Sequence, residues 1–169
     1  KGTFTDFISL MLGNYNVAVL SGVSEACGRF NMKLYAKRLA VLNEVVSSKN
    51  EFMKAFNALK TWITDPRQPF EIKGGKSFDA FSSINWIMSS NNRDCIPMQK
   101  TTRRYLPVEV SASKKGNNAY FTELRNKIMN QAYADKFYTW LMKRDATPAD
   151  VRDESKIPNT KLKQDMVEV

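Results

Sequence analysis

The hydrophobic residues of this chain recur in two spacings, and the two spacings alternate along it. Some stretches carry apolar residues at the spacing of one helix face, and others are short apolar runs typical of strands. The predicted helices cover residues 1–12, 24–35, 49–63 and, in two parts that separate near position 130, 119–144, with a short final helix in the tail. The predicted strands cover residues 16–20, 39–43, 84–89 and 105–110. This alternation predicts a three-layer α/β fold in which helices cover a mainly parallel sheet.

Two of the predicted strands end abruptly in polar residues. The apolar run Leu39–Leu42 is followed at once by Asn43 and Glu44, and the strand at 84–89 leads to Asn91. Open α/β sheets bind ligands at the carboxyl ends of their strands, so Glu44 is a candidate ligand-site acid. Taken alone, such an acid is more often a solvated strand end, and the ligand-site interpretation depends on other residues converging at the same edge.

Residues 69–81 contain two short extended runs on either side of Lys73-Gly74-Gly75-Lys76. A Gly-Gly pair between two such runs predicts a β-hairpin, and Lys73 and Lys76 would lie at its tip. Lysines at a hairpin tip suit contacts with a nucleic-acid backbone. The alternative is a solvated turn in which the lysines keep a sheet edge soluble.

Charge favours a polyanionic partner. The chain has 26 Lys and Arg against 17 Asp and Glu, a net charge of +9, which suits nucleic acid or nucleotide phosphates without choosing between them.

The chain has no histidine and two cysteines, Cys27 and Cys95, so a zinc finger, a disulfide framework and a Ser/His or Cys/His catalytic pair are excluded. No run of 18 apolar residues occurs, and we expect no membrane partner and a cytoplasmic location.

Two short basic motifs contain further candidate residues for binding phosphate groups. Lys1-Gly2-Thr3 opens the first helix and matches the last part of a phosphate-binding loop, although an ordinary helix start is the alternative. Arg103 and Arg104 directly precede the predicted strand at 105–110, and a solvated basic patch is the alternative there. Because the chain opens on Lys1 inside a helix start, we expect it to be cut from a longer polypeptide.

In their order along the chain these pieces resemble the superfamily 3 helicases, within the AAA+ ATPases. The similarity is greatest to the group found C-terminal in phage, plasmid and large-DNA-virus primases and primase-polymerases. Family-like phrases are GRFNMKLYAKRLAVLNEV at 28–45, ALKTWITD at 58–65, SSNN at 89–92, TTRRY at 101–105, FYTWLMKRDATP at 137–148 and IPNTKLKQD at 157–165. The resemblance implies a P-loop NTPase core at residues 1–113, truncated at its N-terminus, and a C-terminal helical region at 114–169.

The resemblance also implies ATP and Mg²⁺ as cofactors. Lys1 would be the Walker A lysine, with Gly2 and Thr3 beside it at the phosphates. Glu44 would be the Walker B acid that polarises the attacking water and, with Asn43 and Thr3, would hold the metal. This agrees with the needs of phosphoryl transfer, which requires a lysine and a metal at the β and γ oxygens and an oriented water.

Further roles follow from the same resemblance. Asn91 would be the polar sensor of the γ-phosphate, and Arg103 or Arg104 the arginine finger offered to a neighbouring subunit of a homo-oligomeric ring. Lys73 or Lys76 would tip the hairpin that grips single-stranded or forked DNA in the pore. An N-terminal primase or polymerase domain would belong to the same polypeptide.

Two positions depart from the family pattern. Gly2 stands where a Ser or Thr hydroxyl normally binds Mg²⁺, and Asn43 stands where an acid is usual, so the metal has fewer protein ligands. The sequence therefore leaves open an ATP-driven DNA-translocating helicase domain and a hydrolysis-deficient ring or clamp that tethers a primase-polymerase to template. A small-molecule kinase is a third reading, which leaves the hairpin and the arginine pair without a role.

Overall fold

The secondary structure follows the predicted alternation of helices and strands. The computed structural model of the chain describes residues 2–43, 49–91, 102, 104–145 and 158–167. The described helices are α1 (Gly2–Leu12), α2 (Val23–Cys27), α3 (Lys49–Thr64), α4 (Asn118–Ile128), α5 (Gln131–Met142) and α6 (Lys161–Val167). The described strands are β1 (Val17–Leu20), β2 (Leu39–Asn43), β3 (Arg67–Phe70), β4 (Phe78–Phe81) and β5 (Asn85–Ser89).

Three strands form a parallel sheet in the order β1-β2-β5. The register pairs Val19 with Val41 and Val41 with Ile87. Leu39 to Leu42 of the central strand are all buried, as expected for a strand covered on both faces. The chain is thus a mixed α/β protein with a small parallel sheet, and the sequence prediction of strands at 16–20, 39–43 and 84–89 is confirmed.

Helix ends lie where local chemistry predicts them. Gly13, with φ 84°, follows the last residue of α1, and Asp65-Pro66 follows α3. The side chain of Asn130 accepts a hydrogen bond from the backbone N–H of Tyr133 and so begins α5. The break predicted near position 130 and the short final helix are both confirmed.

The predicted strand at 105–110 is wrong, because these residues, all of them described, form neither a strand nor a bridge. Pro107 lacks the N–H that a strand ladder needs, and its carbonyl accepts a hydrogen bond from Thr160 Oγ at 2.8 Å instead. Val108 and Val110 are exposed. The apolar composition of the segment resembled a strand, but apart from Tyr105, which is 6% exposed, its side chains are not buried.

The helix predicted from Ser24 to Tyr35 is also shorter than expected. Helix α2 begins after Gly22 and ends at Cys27, because Gly28 turns the chain to an extended conformation. A Cβ at Gly28 would lie 2.8 Å from the carbonyl oxygen of Ser24. A glycine is therefore required at this close approach, and a short 3-10 turn at Met32–Leu34 takes up the rest of the segment.

The predicted hairpin is confirmed. Strands β3 and β4 pair antiparallel, with Arg67 opposite Phe81 and Phe70 opposite Phe78. The connecting loop is longer than a two-residue turn and uses Gly74 at φ 81°. Phe70 anchors the hairpin to its unit, since its ring contacts Tyr35 and Trp62.

The chain divides into two compact units, Lys1–Thr5 with Leu12–Cys95 and Asp6–Met11 with Ile96–Val169. The first contains both sheets. In the second, the ring of Phe7 packs on Tyr133 and Phe137, and Arg125 pairs with Asp6 at 2.9 Å. The predicted division at 113/114 stays a prediction.

Candidate functional site

The carboxyl ends of β2 and β5 meet at one edge of the parallel sheet. Asn43, the last residue of β2, is paired with Ser89, the last residue of β5. Ser89 Oγ donates to the carbonyl oxygen of Leu42 at 3.5 Å, and Asn91 follows two residues later with its side chain exposed. Glu44 directly follows Asn43 in sequence and lies outside the described residues. The register therefore brings the two polar strand ends to neighbouring positions.

The side chain of Asn43 has an unpartnered oxygen. Asn43 Oδ1 is buried and has no hydrogen-bond partner among the described residues. A buried acceptor without a partner is unfavourable, so such an atom in a folded protein suggests a missing ligand, water or ion. Amide oxygens are suitable ligands for Mg²⁺, so Asn43 fits the metal-binding role predicted for it.

A carboxylate that sequence reasoning missed lies at the end of β1. The backbone N–H and the hydroxyl of Ser21 both donate to Glu25 Oε2, at 2.8 and 2.9 Å, and Lys33 Nζ lies 2.6 Å from Glu25 Oε1. The hydrogen bond from Lys33, followed by that from the Ser21 backbone, lowers the pKa of Glu25 below its ordinary value of 4.5. The only sequence signal for this contact is that Ser21 and Glu25, two polar residues four positions apart, follow a predicted strand end. Glu25 thus orders the turn after β1.

The hairpin tip carries Lys73 and Lys76, both exposed. At the base of the loop, Glu71 pairs with Arg29 through an Arg29 Nε to Oε1 distance of 2.8 Å. Asn31 also holds the loop, by donating to the Pro69 carbonyl at 2.9 Å and accepting from the Glu71 N–H at 3.0 Å. Glu71, the acid nearest to Lys73 in sequence, is therefore already paired with Arg29, which leaves the charge of Lys73 available to a ligand.

The other predicted site residues occupy separate parts of the chain. Gly2 is the exposed first residue of α1, and Thr3 is half-buried in its first turn. Arg104 is exposed and belongs to the second unit. Lys1, Glu44 and Arg103 lie outside the described residues, so their roles stay predictions.

Cys27 has no nucleophilic character at neutral pH. Burial raises the pKa of its thiol to about 11, which keeps the sulfur protonated. Within the described ranges, no group of three or more His, Cys, Asp or Glu side chains could hold a metal ion. In the same ranges, no helix has the length and apolar character needed to span a membrane.

A small parallel sheet with polar strand ends, a basic hairpin and a helical second unit define an α/β protein with a candidate ligand edge. A family model described as a family of unknown function, DUF5906, matches residues 1–104. The chain therefore belongs to this family.

The chain is also similar to a phage replication enzyme, the DNA primase-polymerase of Nitratiruptor phage NrS-1. The two are 31% identical over 135 residues, which are 78% of this chain and 18% of that protein. This chain thus corresponds to a small part of the relative's length.

Solved structures of the NrS-1 C-terminal region have the same fold over nearly the whole chain. The apo structure of that region matches with a TM-score of 0.79 at 25% identity, covering 99% of this chain and 39% of the other. An A-form apo structure of the region matches with a TM-score of 0.76 at 26% identity, with the same coverage of 99% and 39%. Both similarities agree with the primase-polymerase resemblance found in the sequence.

Proposed function

We propose that this chain is part of a phage DNA replication protein, in which it binds ATP with Mg²⁺ and moves along DNA. The proposal joins the similarity to a phage primase-polymerase with the arrangement of the sheet edge. Its activity is that of an ATP hydrolase of the superfamily 3 helicase type. The working form is a homo-oligomeric ring attached to a primase or polymerase domain.

The observation that carries the proposal is the pairing of Asn43 with Ser89. It sets two polar strand ends side by side at the carboxyl edge of a parallel sheet, where α/β proteins bind ligands. Glu44 follows the first of these ends and Asn91 the second. The unpartnered oxygen of Asn43 supports a polar ligand at this edge.

Each residue then has a defined task. Lys1 and the first-turn N–H groups of α1, with Gly2 and Thr3, bind the phosphates, since a helix N-terminus favours anions. Asn43 and Glu44 hold Mg²⁺, which neutralises charge on the β and γ phosphate oxygens. Glu44 also orients the attacking water and accepts its proton.

Three further residues complete the reaction and couple it to DNA. Asn91 donates to the γ-phosphate and so responds to its presence. An arginine from a neighbouring subunit, Arg103 or Arg104, adds positive charge in the transition state. Lys73 and Lys76 bind the phosphate backbone of the DNA.

Phosphate release by the purified protein, with and without single-stranded DNA, tests the proposal. We expect DNA-stimulated hydrolysis that Glu44→Gln abolishes while Mg-ATP binding, measured by calorimetry, persists. A matched control is Glu123→Gln, an exposed glutamate of α4. Absence of Mg-ATP binding by the parent protein would contradict the nucleotide site itself.

A second function, a hydrolysis-deficient clamp that tethers a primase-polymerase to template, is favoured by one specific observation. Gly2 supplies no hydroxyl and Asn43 no charge at the two positions where the resemblance implies metal ligands. The clamp predicts tight DNA binding and Mg-ATP binding without turnover. Hydrolysis that rises with DNA separates the motor from the clamp.

A further inference from the structure

The amino-terminal edge of the parallel sheet, opposite to the Asn43 edge, carries two highly exposed aromatic rings. Tyr15 is 77% exposed and Phe81 is 72% exposed, the two largest values among the described aromatic residues. Tyr15 lies just before β1, and Phe81 ends β4 a few residues before β5 begins. An aromatic ring exposed to this extent contributes little to the core and offers a face on which another flat ring can stack.

Basic side chains connect the two rings. Lys37 and Arg38 directly precede β2: Lys37 Nζ donates to the carbonyl oxygen of Tyr15, and Arg38 Nη1 donates to Ser83 Oγ at 2.7 Å. Arg67 lies opposite Phe81 in the hairpin, with its guanidinium carbon 4.7 Å from the centre of the Phe81 ring. We call Tyr15, Lys37, Arg38, Arg67 and Phe81 the amino-edge platform.

A cavity opens beside three residues of the amino-edge platform, Lys37, Arg38 and Phe81. It has a volume of about 290 Å³, and Lys37, Arg38, Phe81 and Ser83 are among the residues that line it. This is near the lower end of the range for small-molecule sites, which is the scale of one nucleobase with its sugar. The cavity is therefore large enough for one nucleotide of a single strand.

The charge of the platform is unbalanced. None of its three cations forms a salt bridge with a carboxylate in the described part of the chain. The acid on the same face of the hairpin is Asp79, which lies two residues from Phe81 and opposite Pro69. Three cations without a carboxylate partner among the described residues, next to two exposed rings, are complementary to a polyanion that carries aromatic groups.

We propose that the amino-edge platform binds single-stranded DNA. Bases stack on Phe81 and Tyr15, and Lys37, Arg38 and Arg67 contact the phosphates between them. Single strands are favoured over duplex, because only unstacked bases offer their faces to a protein ring. This inference rests on the proposed function, in which the protein acts on DNA. It concerns a face distinct from the hairpin tip and from the carboxyl edge of the sheet at Asn43.

Fluorescence anisotropy with labelled oligo-dT tests the platform. Phe81→Leu and Tyr15→Leu should each weaken binding by about fivefold or more, the effect of one lost base stack, with an unchanged salt dependence because no charge is removed. Arg67→Gln should lower the slope of log K against log salt by roughly 0.7, the value for one phosphate contact on a single strand. Asp79→Asn should strengthen binding.

Phe30→Leu is the matched control. Phe30 is 52% exposed and has the Arg29 guanidinium carbon 5.8 Å from its ring centre, so it reproduces an exposed arginine–phenylalanine pair away from the platform. We expect the Phe30→Leu variant to bind oligo-dT with the same affinity as the parent protein. An oligonucleotide carrying 5-iodouracil should cross-link, on irradiation, to the peptide that contains Phe81 or Tyr15.

Three outcomes overturn the inference, and they differ in what else they affect. If Lys73→Ala weakens binding but Phe81→Leu and Tyr15→Leu do not, the platform is wrong and the proposed function stands. Equal competition by duplex and single-stranded DNA overturns the single-strand assignment. If the parent protein binds no DNA, both the platform and the DNA part of the proposed function fail.

Discussion

Asn31 is joined to Glu71 across forty positions of the sequence: the backbone N–H of Glu71 donates to Asn31 Oδ1 at 3.0 Å. The Nδ2 group of the same side chain donates to the carbonyl oxygen of Pro69 at 2.9 Å. Asn31 is 8% exposed, so both hydrogen bonds are partly shielded from water. One amide therefore fixes the end of β3 and sets the direction in which the hairpin loop leaves its unit.

Asn31→Ala should destabilise the protein by about 1–3 kcal/mol, because it leaves two backbone groups of the hairpin without partners in a buried setting. Urea unfolding followed by circular dichroism measures the change. Asn57→Ala, at an exposed position of α3, is the matched control and should have little effect. Equal stability of Asn31→Ala and the parent would show that the hairpin is held by Phe70 packing alone.

Lys73→Ala and Lys76→Ala should each reduce the affinity for single-stranded DNA without regard to its sequence. Each should lower the slope of log K against log salt by roughly 0.7 to 0.9, because one phosphate contact is lost. Titrations of labelled DNA at several salt concentrations measure both quantities. Lys136→Ala, on the exposed surface of α5, is the control. A slope that does not change would mean that the hairpin lysines are only solvated.

Gly2→Thr should raise ATP hydrolysis if the shortage of metal ligands limits turnover. A Cβ at Gly2 meets no atom within 4 Å, so the larger side chain fits at the start of α1 without displacing a neighbour. Gly2→Ala adds the Cβ without a hydroxyl and should leave the rate of phosphate release unchanged. A rise in both variants would point to helix stability rather than metal binding as the cause.

Asn43→Asp should also raise ATP hydrolysis, since it places a negative charge at the proposed metal site. A carboxylate binds Mg²⁺ more strongly than an amide does, so the Mg²⁺ concentration for half-maximal phosphate release should fall. Asn43→Leu, which removes the unpartnered oxygen and keeps a similar volume, should raise this Mg²⁺ concentration or stop phosphate release while the protein stays folded. Unaltered Mg²⁺ dependence in both variants would remove Asn43 from the site.

Glu25→Gln should lower stability at neutral pH and have no effect in acid. The pKa of Glu25 is depressed in the folded protein, so its stabilising contribution is present above the unfolded value of about 4.5 and is lost as pH falls through the folded pKa. The side chains of Glu25 and Lys33 are 33% and 51% exposed, so the contribution should stay below about 1 kcal/mol. Urea unfolding of both proteins from pH 7 to about pH 3 measures it. When both proteins also carry Lys33→Gln, the difference in unfolding free energy caused by Glu25→Gln should be smaller.

Much of the fold follows from local sequence, because local forces determine it. The periodicity of α3, the helix break near Asn130 and the glycines of the hairpin loop each depend on a few neighbouring residues, and all were predicted. Composition gives the net charge, which favours a polyanionic partner, and the absence of histidine, which excludes Ser/His and Cys/His catalytic pairs. The strand at 39–43 was also predicted from the sequence, because an apolar run that ends at Asn43 is a local pattern.

The tertiary structure decided what depends on contacts between distant residues. The sequence alone could not pair Asn43 with Ser89, because strand register is set by packing of the whole sheet. It wrongly predicted a strand at 105–110, since strand formation requires a partner and burial, and these are properties of the surroundings rather than of the segment. The link between Asn31 and Glu71 and the amino-edge platform arise in the same way. Each joins residues far apart in the chain, and only the folded backbone determines which side chains become neighbours.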